Sequence, residues 1–273
     1  MAGASTKKGL VRQQQLDEII HSGEDPIYFM RHYLSIQHAT KGRLAFDLFP
    51  FQEDCINSFL DYRFNIVLKS RQLGLSTVTA AYCLWLSLFH RDKNIIIMAT
   101  KLEVGKGMIQ KIRIFYSGLP KWMLELLELQ DLEAESVKYV KFSNGSKITA
   151  IPTADDAGRG EAVSLFCIDE AAHIENLATL WGGIYSTVST GGRIIMFSTP
   201  NGKGNKFHEV WEDAIAKKRA GNVNKNDFAT TELPWNVHPD RDDEWFTNEC
   251  RNLSDRLIAQ ELCCSFESSG HTF

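Results

Sequence analysis

The sequence predicts an α/β fold in which a mostly parallel sheet is flanked by helices, with a small N-terminal helical subdomain ahead of it. Three segments carry the prediction. Ile66-Val67-Leu68-Lys69-Ser70-Arg71-Gln72-Leu73-Gly74-Leu75-Ser76-Thr77 reads as a buried strand, a tight turn and the opening of a helix. Val163-Ser164-Leu165-Phe166-Cys167-Ile168-Asp169-Glu170 is mostly apolar and ends in two adjacent acids, the pattern of a central strand covered on both faces. Gly192 to Phe197 is a third strand, running into Ser198-Thr199-Pro200-Asn201-Gly202, where proline and glycine turn the chain.

The first segment has phosphate-binding spacing. In G-x-x-x-x-G-K-[ST], Gly74 falls on the second glycine and Ser76 on the hydroxyl that holds magnesium, with Thr77 able to take that role by a one-residue shift. Leu75 stands in the usual lysine position, and Lys69 stands where the first glycine would be. Phosphate binding needs backbone N–H groups, a helix N-terminus and at least one cation. The backbone of Lys69 to Thr77 supplies the cradle, and both Lys69 and Arg71 can supply the charge. A solvated Lys-Ser-Arg turn would use the same residues, so the acidic segment decides. Carboxylates at the C-terminal end of a parallel strand project into the crevice where such sheets bind ligands. Asp169 is then the magnesium ligand, and Glu170 orients and activates the attacking water. Together these segments predict a P-loop NTPase of the ASCE, RecA-like kind, with ATP and Mg2+ as cofactors.

Taken in chain order, residues 1–25 form an arm with a short apolar pattern at Leu16, Ile19 and Ile20. Residues 26–60 read as a mainly helical lid. It contains Phe51-Gln52, where the glutamine amide suits an adenine edge and Phe49 or Phe51 offers a ring for stacking; a helix-opening staple explains the same residues. Residues 61–235 form the nucleotide core, in which the hydroxyls of Ser198 and Thr199 suit a γ-phosphate sensor; a plain strand-to-loop exit explains the same residues. Residues 236–273 return to helices, with Arg256 to Phe266 closing over the core.

The 273 residues are 44% hydrophobic, enough for a sizeable core. The start lacks the apolar stretch of a signal peptide, and the longest apolar run, Val78 to Phe89, follows the P-loop as a buried helix, so no membrane span is expected. Six cysteines form no C-x-x-C pair and read as reduced and mostly buried. Eight histidines show no metal-ligand spacing. A net charge of −4 is a poor overall footprint for a nucleic-acid binder. Two local sets stand out, Lys101, Lys106, Lys111 and Arg113, then Lys203, Lys206, Lys217, Lys218 and Arg219; either DNA or plain solvent would account for them.

Lys69 to Thr77, Asp169-Glu170, Ser198-Thr199-Pro200 and Phe51-Gln52, with Ser143 to Ile148, Trp235 to Arg241 and Gln260 to Phe266, resemble the ATPase domain of the large terminase subunit of tailed bacteriophages. That family is known for a P-loop with lysine at its beginning, which matches Lys69. The resemblance implies a motor that uses ATP to move double-stranded DNA into a procapsid. Its partners would be the portal, the small terminase subunit and further copies in a homo-oligomeric ring. It would act in the cytoplasm of the infected bacterial host. It also implies that Ser198, Thr199 and Pro200 couple hydrolysis to movement. Arg159, between Gly158 and Gly160 and shortly before the acidic strand, fits an arginine finger acting on a neighbouring subunit. Arg71, acting within its own subunit, is the rival. The chain stops where the family's linker to a nuclease lies, so no DNA cleavage is expected of it.

Two other functions suit the same motifs. One is a helicase-like ATPase that remodels nucleic acid, though no arginine-rich helicase motif is evident near the C-terminus. The other is a nucleotide-gated assembly module that binds ATP without turnover, against which stands the intact Glu170.

Overall fold

The computed structural model describes residues 2–38, 40, 42–153 and 162–267, with side chains for all of these except 2–9 and 38. Helices α1 (Ala2–Glu24) and α2 (Pro26–Tyr33) open the chain, followed by a hairpin of β1 (Ser35–His38) and β2 (Gly42–Ala45) and by α3 (Pro50–Asp61). The core then runs β3 (Phe64–Lys69), α4 (Leu75–Phe89), β4 (Asn94–Ala99), α5 (Leu102–Ser117), α6 (Lys121–Leu126), β5 (Leu132–Ser136), β6 (Tyr139–Phe142) and β7 (Lys147–Ile151). It continues through β8 (Leu165–Asp169), a 3-10 turn at Ala171–His173, α7 (Leu177–Thr187), β9 (Arg193–Ser198), α8 (Lys206–Arg219) and β10 (Phe228–Leu233). A second 3-10 turn at Trp235–Val237, α9 (Asp243–Cys250) and α10 (Asp255–Glu261) close the described part.

Eight strands make one sheet in the order β10-β3-β9-β8-β4-β7-β6-β5. The first six are mutually parallel, and β6 and β5 add an antiparallel extension. This is the predicted mostly parallel sheet, and alternation along its strands explains the layers. Val67, Ile95, Ile97, Cys167 and Ile195 point into one core with α3, α4 and α5. Ile66, Leu68, Ile96, Met98, Phe166, Ile168 and Met196 point the other way, against α7 and α8. Strands buried on both faces have no polar side to display, which is why their sequences are continuous apolar runs.

Helix starts follow local chemistry. Asp25 accepts hydrogen bonds from the N–H groups of Ile27 and Tyr28, with Pro26 at the first helical position of α2. Asn205 caps α8 through the N–H of His208. Phe29, Met30, Phe46, Phe51 and Phe59 from the segment before β3 are buried in the same core as α4 and the sheet. The segment 26–60, read from the sequence as mainly helical, holds α2 and α3 and also a hairpin that its sequence does not announce. The arm is helical, and its C-terminal end is anchored by Trp85, whose indole N–H donates to the Ser22 carbonyl at 2.8 Å. Leu10, Val11, Leu16 and Ile20 on that helix remain exposed.

The turn between α7 and β9 needs a residue with no side chain. A Cβ on Gly192 would fall on the carbonyl oxygen of Val163 and within 3.0 Å of Val188 Cα. Both are backbone atoms of packed elements, so Gly192→Ala should cost about 1–3 kcal/mol or more, read as a lower urea midpoint with an unchanged slope.

Candidate functional site

Sheet order brings the three predicted segments together. β9 lies between β3 and β8, with Leu68 opposite Ser198 and Asp169 opposite Phe197. Lys69, the Ser198-Thr199 pair and the Asp169-Glu170 pair therefore emerge side by side at the C-terminal edge of the sheet, above the N-terminus of α4.

The turn from β3 to α4 is shaped as an anion cradle. Gln72 has φ 58 and Gly74 φ 76, both left-handed. The N–H of Ser70 donates to the Leu233 carbonyl and that of Arg71 to the Glu261 carbonyl, each at 2.8 Å. Among the described residues, the N–H groups of Gln72, Leu73, Gly74, Leu75 and Ser76 have no such partner. Five consecutive free donors at a helix N-terminus fit the oxygens of a polyphosphate. Leu75 is 2% exposed and packs into the core beside α5, so the usual lysine position is committed to packing. Lys69, at the start of the turn, is also buried and carries a cation.

Lys69 Nζ lies 2.8 Å from Glu170 Oε1. The other oxygen of Glu170 accepts from the Thr199 N–H at 3.2 Å and from Ser198 Oγ at 3.3 Å. Burial pushes the Glu170 carboxyl up, but the Lys69 ammonium beside it and the Thr199 N–H outweigh burial and hold it below its usual value. Glu170 itself has φ 52 and ψ 48, a left-handed backbone that costs roughly 1–3 kcal/mol and is typical of functional sites.

Asp169 has the opposite balance. Burial and the neighbouring Glu170 push its carboxyl up to about 6. Oδ2 accepts from Ser76 Oγ at 2.8 Å, while Oδ1 is buried with no partner. An orphaned buried carboxylate oxygen beside a hydroxyl fits a divalent cation, whose charge would offset the desolvation. Ser76 rather than Thr77 makes this contact; Thr77 lines a cleft on the other side. No group of three or more His, Cys, Asp or Glu side chains fit for a metal occurs among the described residues. One carboxylate and one hydroxyl suit magnesium, which takes one or two protein ligands and completes its shell with phosphates and water.

A cleft of about 640 Å³ opens beside the turn, lined by Gln72, Leu73, Gly74 and Thr77 on one side and Phe49, Lys111 and His238 on the other. Gln52, at the first turn of α3, donates to the Leu73 carbonyl at 2.9 Å and accepts from the Phe49 N–H at 3.1 Å. A Cβ on Gly74 would come within 2.8 Å of the Gln52 amide nitrogen. The glutamine thus braces the cradle and keeps one N–H and one lone pair for anything in the cleft. Gln52→Ala should leave the Leu73 carbonyl unpaired, at about 1–3 kcal/mol, and weaken nucleotide binding roughly five- to a hundred-fold by the same arithmetic, measured by titration with a fluorescent ATP analogue.

The sequence of residues 66–272 matches the model of the family described as "Terminase large subunit, T4likevirus-type, N-terminal". The chain belongs to this family. Solved terminases share the fold. The large terminase ATPase domain of Thermus phage P74-26 superposes with a TM-score of 0.64 at 19% identity, covering 82% of this chain and 95% of that one. The HK97 bacteriophage large terminase gives 0.61 at 15% identity, covering 88% of this chain and 47% of that one. The large terminase of a thermophilic bacteriophage, in complex with ADP, gives 0.61 at 12% identity over 81% of this chain and 54% of that one. Mu-like prophage FluMu protein gp28 of Haemophilus influenzae is 24% identical over 192 residues, 65% of this chain; the chain spans 37% of that relative's length.

Arg159 lies outside the described residues. Arg71 is half-exposed, its Nε 3.9 Å from Glu261 Oε2. Phe49 lines the cleft, 4.5 Å from the His238 ring, whereas Phe51 is buried behind it. Five residues of the two basic sets are ion-paired: Lys106 with Glu103, Arg113 with Glu135, Lys203 with Glu267, Lys206 with Glu209, and Lys217 with Asp213 and Asp227. Cys55, Cys83, Cys167 and Cys264 are buried and Cys250 is half-buried, but Cys263 is exposed. Arg241 has a part that the sequence does not signal. Its guanidinium donates to the Arg71 and Gln72 carbonyls at 3.2 Å and lies over the Trp245 ring, clamping the cradle from the C-terminal segment. Its distance in sequence from the turn hides that role.

Proposed function

We propose that this domain hydrolyses Mg-ATP and that the hydrolysis drives translocation of double-stranded DNA into a procapsid. The arrangement of Lys69, Glu170 and Ser198-Thr199 around an open N–H cradle is the observation that carries the reading. An incoming γ-phosphate competes for Lys69. As the ammonium turns to the phosphate oxygens, Glu170 Oε1 is freed to take a proton from water, while Thr199 N–H keeps the second oxygen oriented. Ser76 and Asp169 would hold magnesium, which when bound spreads the charge of the β and γ oxygens. Phe49, His238 and the remaining valences of Gln52 would take the base in the cleft. Support for a nucleotide comes also from the thermophilic bacteriophage terminase of the same fold in complex with ADP.

Arg159 would act as a finger in trans within a homo-oligomeric ring on the portal, and Ser198, Thr199 and Pro200 would pass the state of Glu170 to the moving parts. Small terminase subunit and double-stranded DNA would be the other partners, in the cytoplasm of the infected bacterium. Residues 1–25 would serve as an arm, 26–60 as a lid carrying the adenine motif, 61–235 as the ATPase core and 236–273 as a C-terminal lid. No helix among the described residues is long and apolar enough to cross a membrane.

Phosphate release from Mg-ATP, with and without double-stranded DNA, tests the reading. Release that requires magnesium and is unaccompanied by strand separation supports the motor. Strand separation would identify a helicase, and tight ATP binding without release an assembly module.

A further inference from the structure

The turn that follows Glu170 carries a histidine with no assigned part in the reaction. His173 ends the 3-10 turn Ala171–His173, and its N–H closes that turn onto the Glu170 carbonyl at 2.9 Å. Its ring Nε2 lies 2.9 Å from Thr199 Oγ1. Two further bonds join the same pair of loops: the Ala172 N–H donates to Ser198 Oγ at 3.1 Å, and the Asn201 amide donates to the Ala172 carbonyl at 3.2 Å. Thr199 is buried, so its hydroxyl has few alternatives. Its own N–H is the donor that orients Glu170 Oε2. A ring is thereby closed, from Glu170 through Thr199 and His173 back to Glu170 along four residues of chain.

We propose that His173 is a positioning residue for hydrolysis, fixing Thr199 and through it the carboxylate of Glu170, without touching nucleotide or magnesium. The proposal rests on the reading of Glu170 as the group that activates water. The bridge exists with either ring nitrogen protonated, since a threonine hydroxyl both donates and accepts. Its value comes from the left-handed backbone at Glu170: a strained residue stays in place only if its surroundings over-determine it, and the Lys69 contact is the one expected to be given up when phosphate binds. Without His173, the two loops keep the Ala172–Ser198 and Asn201–Ala172 bonds, and Thr199 itself is held less firmly; a misplacement near 1 Å can cost about 10²-fold in rate.

The test combines kinetics with a signal that needs no turnover. His173→Ala should lower kcat roughly ten- to a hundred-fold, up to the cost of a misplacement near 1 Å, with KM and ATP affinity unchanged. His173→Gln, whose amide can reach Thr199, should recover most of the loss. Thr199→Val should cost a similar factor, and the double variant no more than either single one, because both remove the same bridge. Independently, the ring nitrogen resonances of His173 should shift in Thr199→Val. Unchanged kcat in His173→Ala, multiplicative losses in the double variant, or loss of ATP affinity that His173→Gln does not repair would overturn the proposal. So would unshifted His173 resonances. Absence of phosphate release from the unmodified chain would contradict the hydrolase reading itself, and the resonances would still decide whether the bridge stands.

Discussion

Glu170→Gln should slow phosphate release by about 10²- to 10⁴-fold while leaving ATP bound at close to its original affinity. The amide keeps the shape of the carboxylate and can still accept from the Thr199 N–H, which fixes Oε2 at 3.2 Å. It cannot take a proton from water, and positioned general bases contribute about 10² to 10⁴ in rate. The substitution also removes the ion pair that occupies Lys69 at 2.8 Å. With that competitor gone, the ammonium is free for phosphate, so affinity should hold or rise slightly. Stopped-flow binding and phosphate release on the same preparation measure both. Equal loss of binding and turnover would mean that Glu170 mainly shapes the pocket.

Arg159→Ala should cause the larger loss, about 10³ to 10⁵ in kcat if the residue is a finger, with ATP affinity nearly intact. Arg71→Ala is the informative partner. Arg71 is half-exposed and its Nε lies 3.9 Å from Glu261 Oε2, so its removal should change turnover only a few-fold by loosening the cradle. A finger that acts between subunits also makes turnover per chain rise with protein concentration, and Arg159→Ala should flatten that rise. Turnover independent of concentration, insensitive to Arg159 and lost in Arg71→Ala would move the finger into the same subunit.

Much of the site was legible because its chemistry is local in sequence. Lys69 to Thr77 and Val163 to Glu170 each carry a strand, a turn and the reactive groups in one stretch, so spacing alone aligned them. The parallel central strands were legible for the same reason, being apolar on both faces. β10 was not: Phe228–Leu233 reads Phe-Ala-Thr-Thr-Glu-Leu, is half-exposed over most of its length and lies at the sheet edge, where polar residues suit an unpaired ladder and erase the strand signal. The β6–β5 extension, and β7 beside it, were missed because these strands are short and polar on one face. Contacts closed by tertiary structure were hidden as well. Gln52 bracing Leu73, Arg241 holding the Arg71 and Gln72 carbonyls, and His173 meeting Thr199 each join residues 21 or more positions apart. The displaced lysine shows the reverse case: its odd position is plain in the sequence, and the burial of Leu75 in the core supplies the reason.

The central claim is that a lysine at the start of the turn does the work usually given to one at its end. Phosphate release from Mg-ATP by the unmodified chain beside Lys69→Ala tests it most directly, with ATP binding followed in parallel. The account predicts turnover by the unmodified chain and, for Lys69→Ala, at least a hundred-fold less turnover, the arithmetic of losing about 3 kcal/mol of charge-assisted contact to phosphate, together with weakened binding. Lys69→Ala turning over ATP as fast as the unmodified chain, with the same affinity, would contradict it.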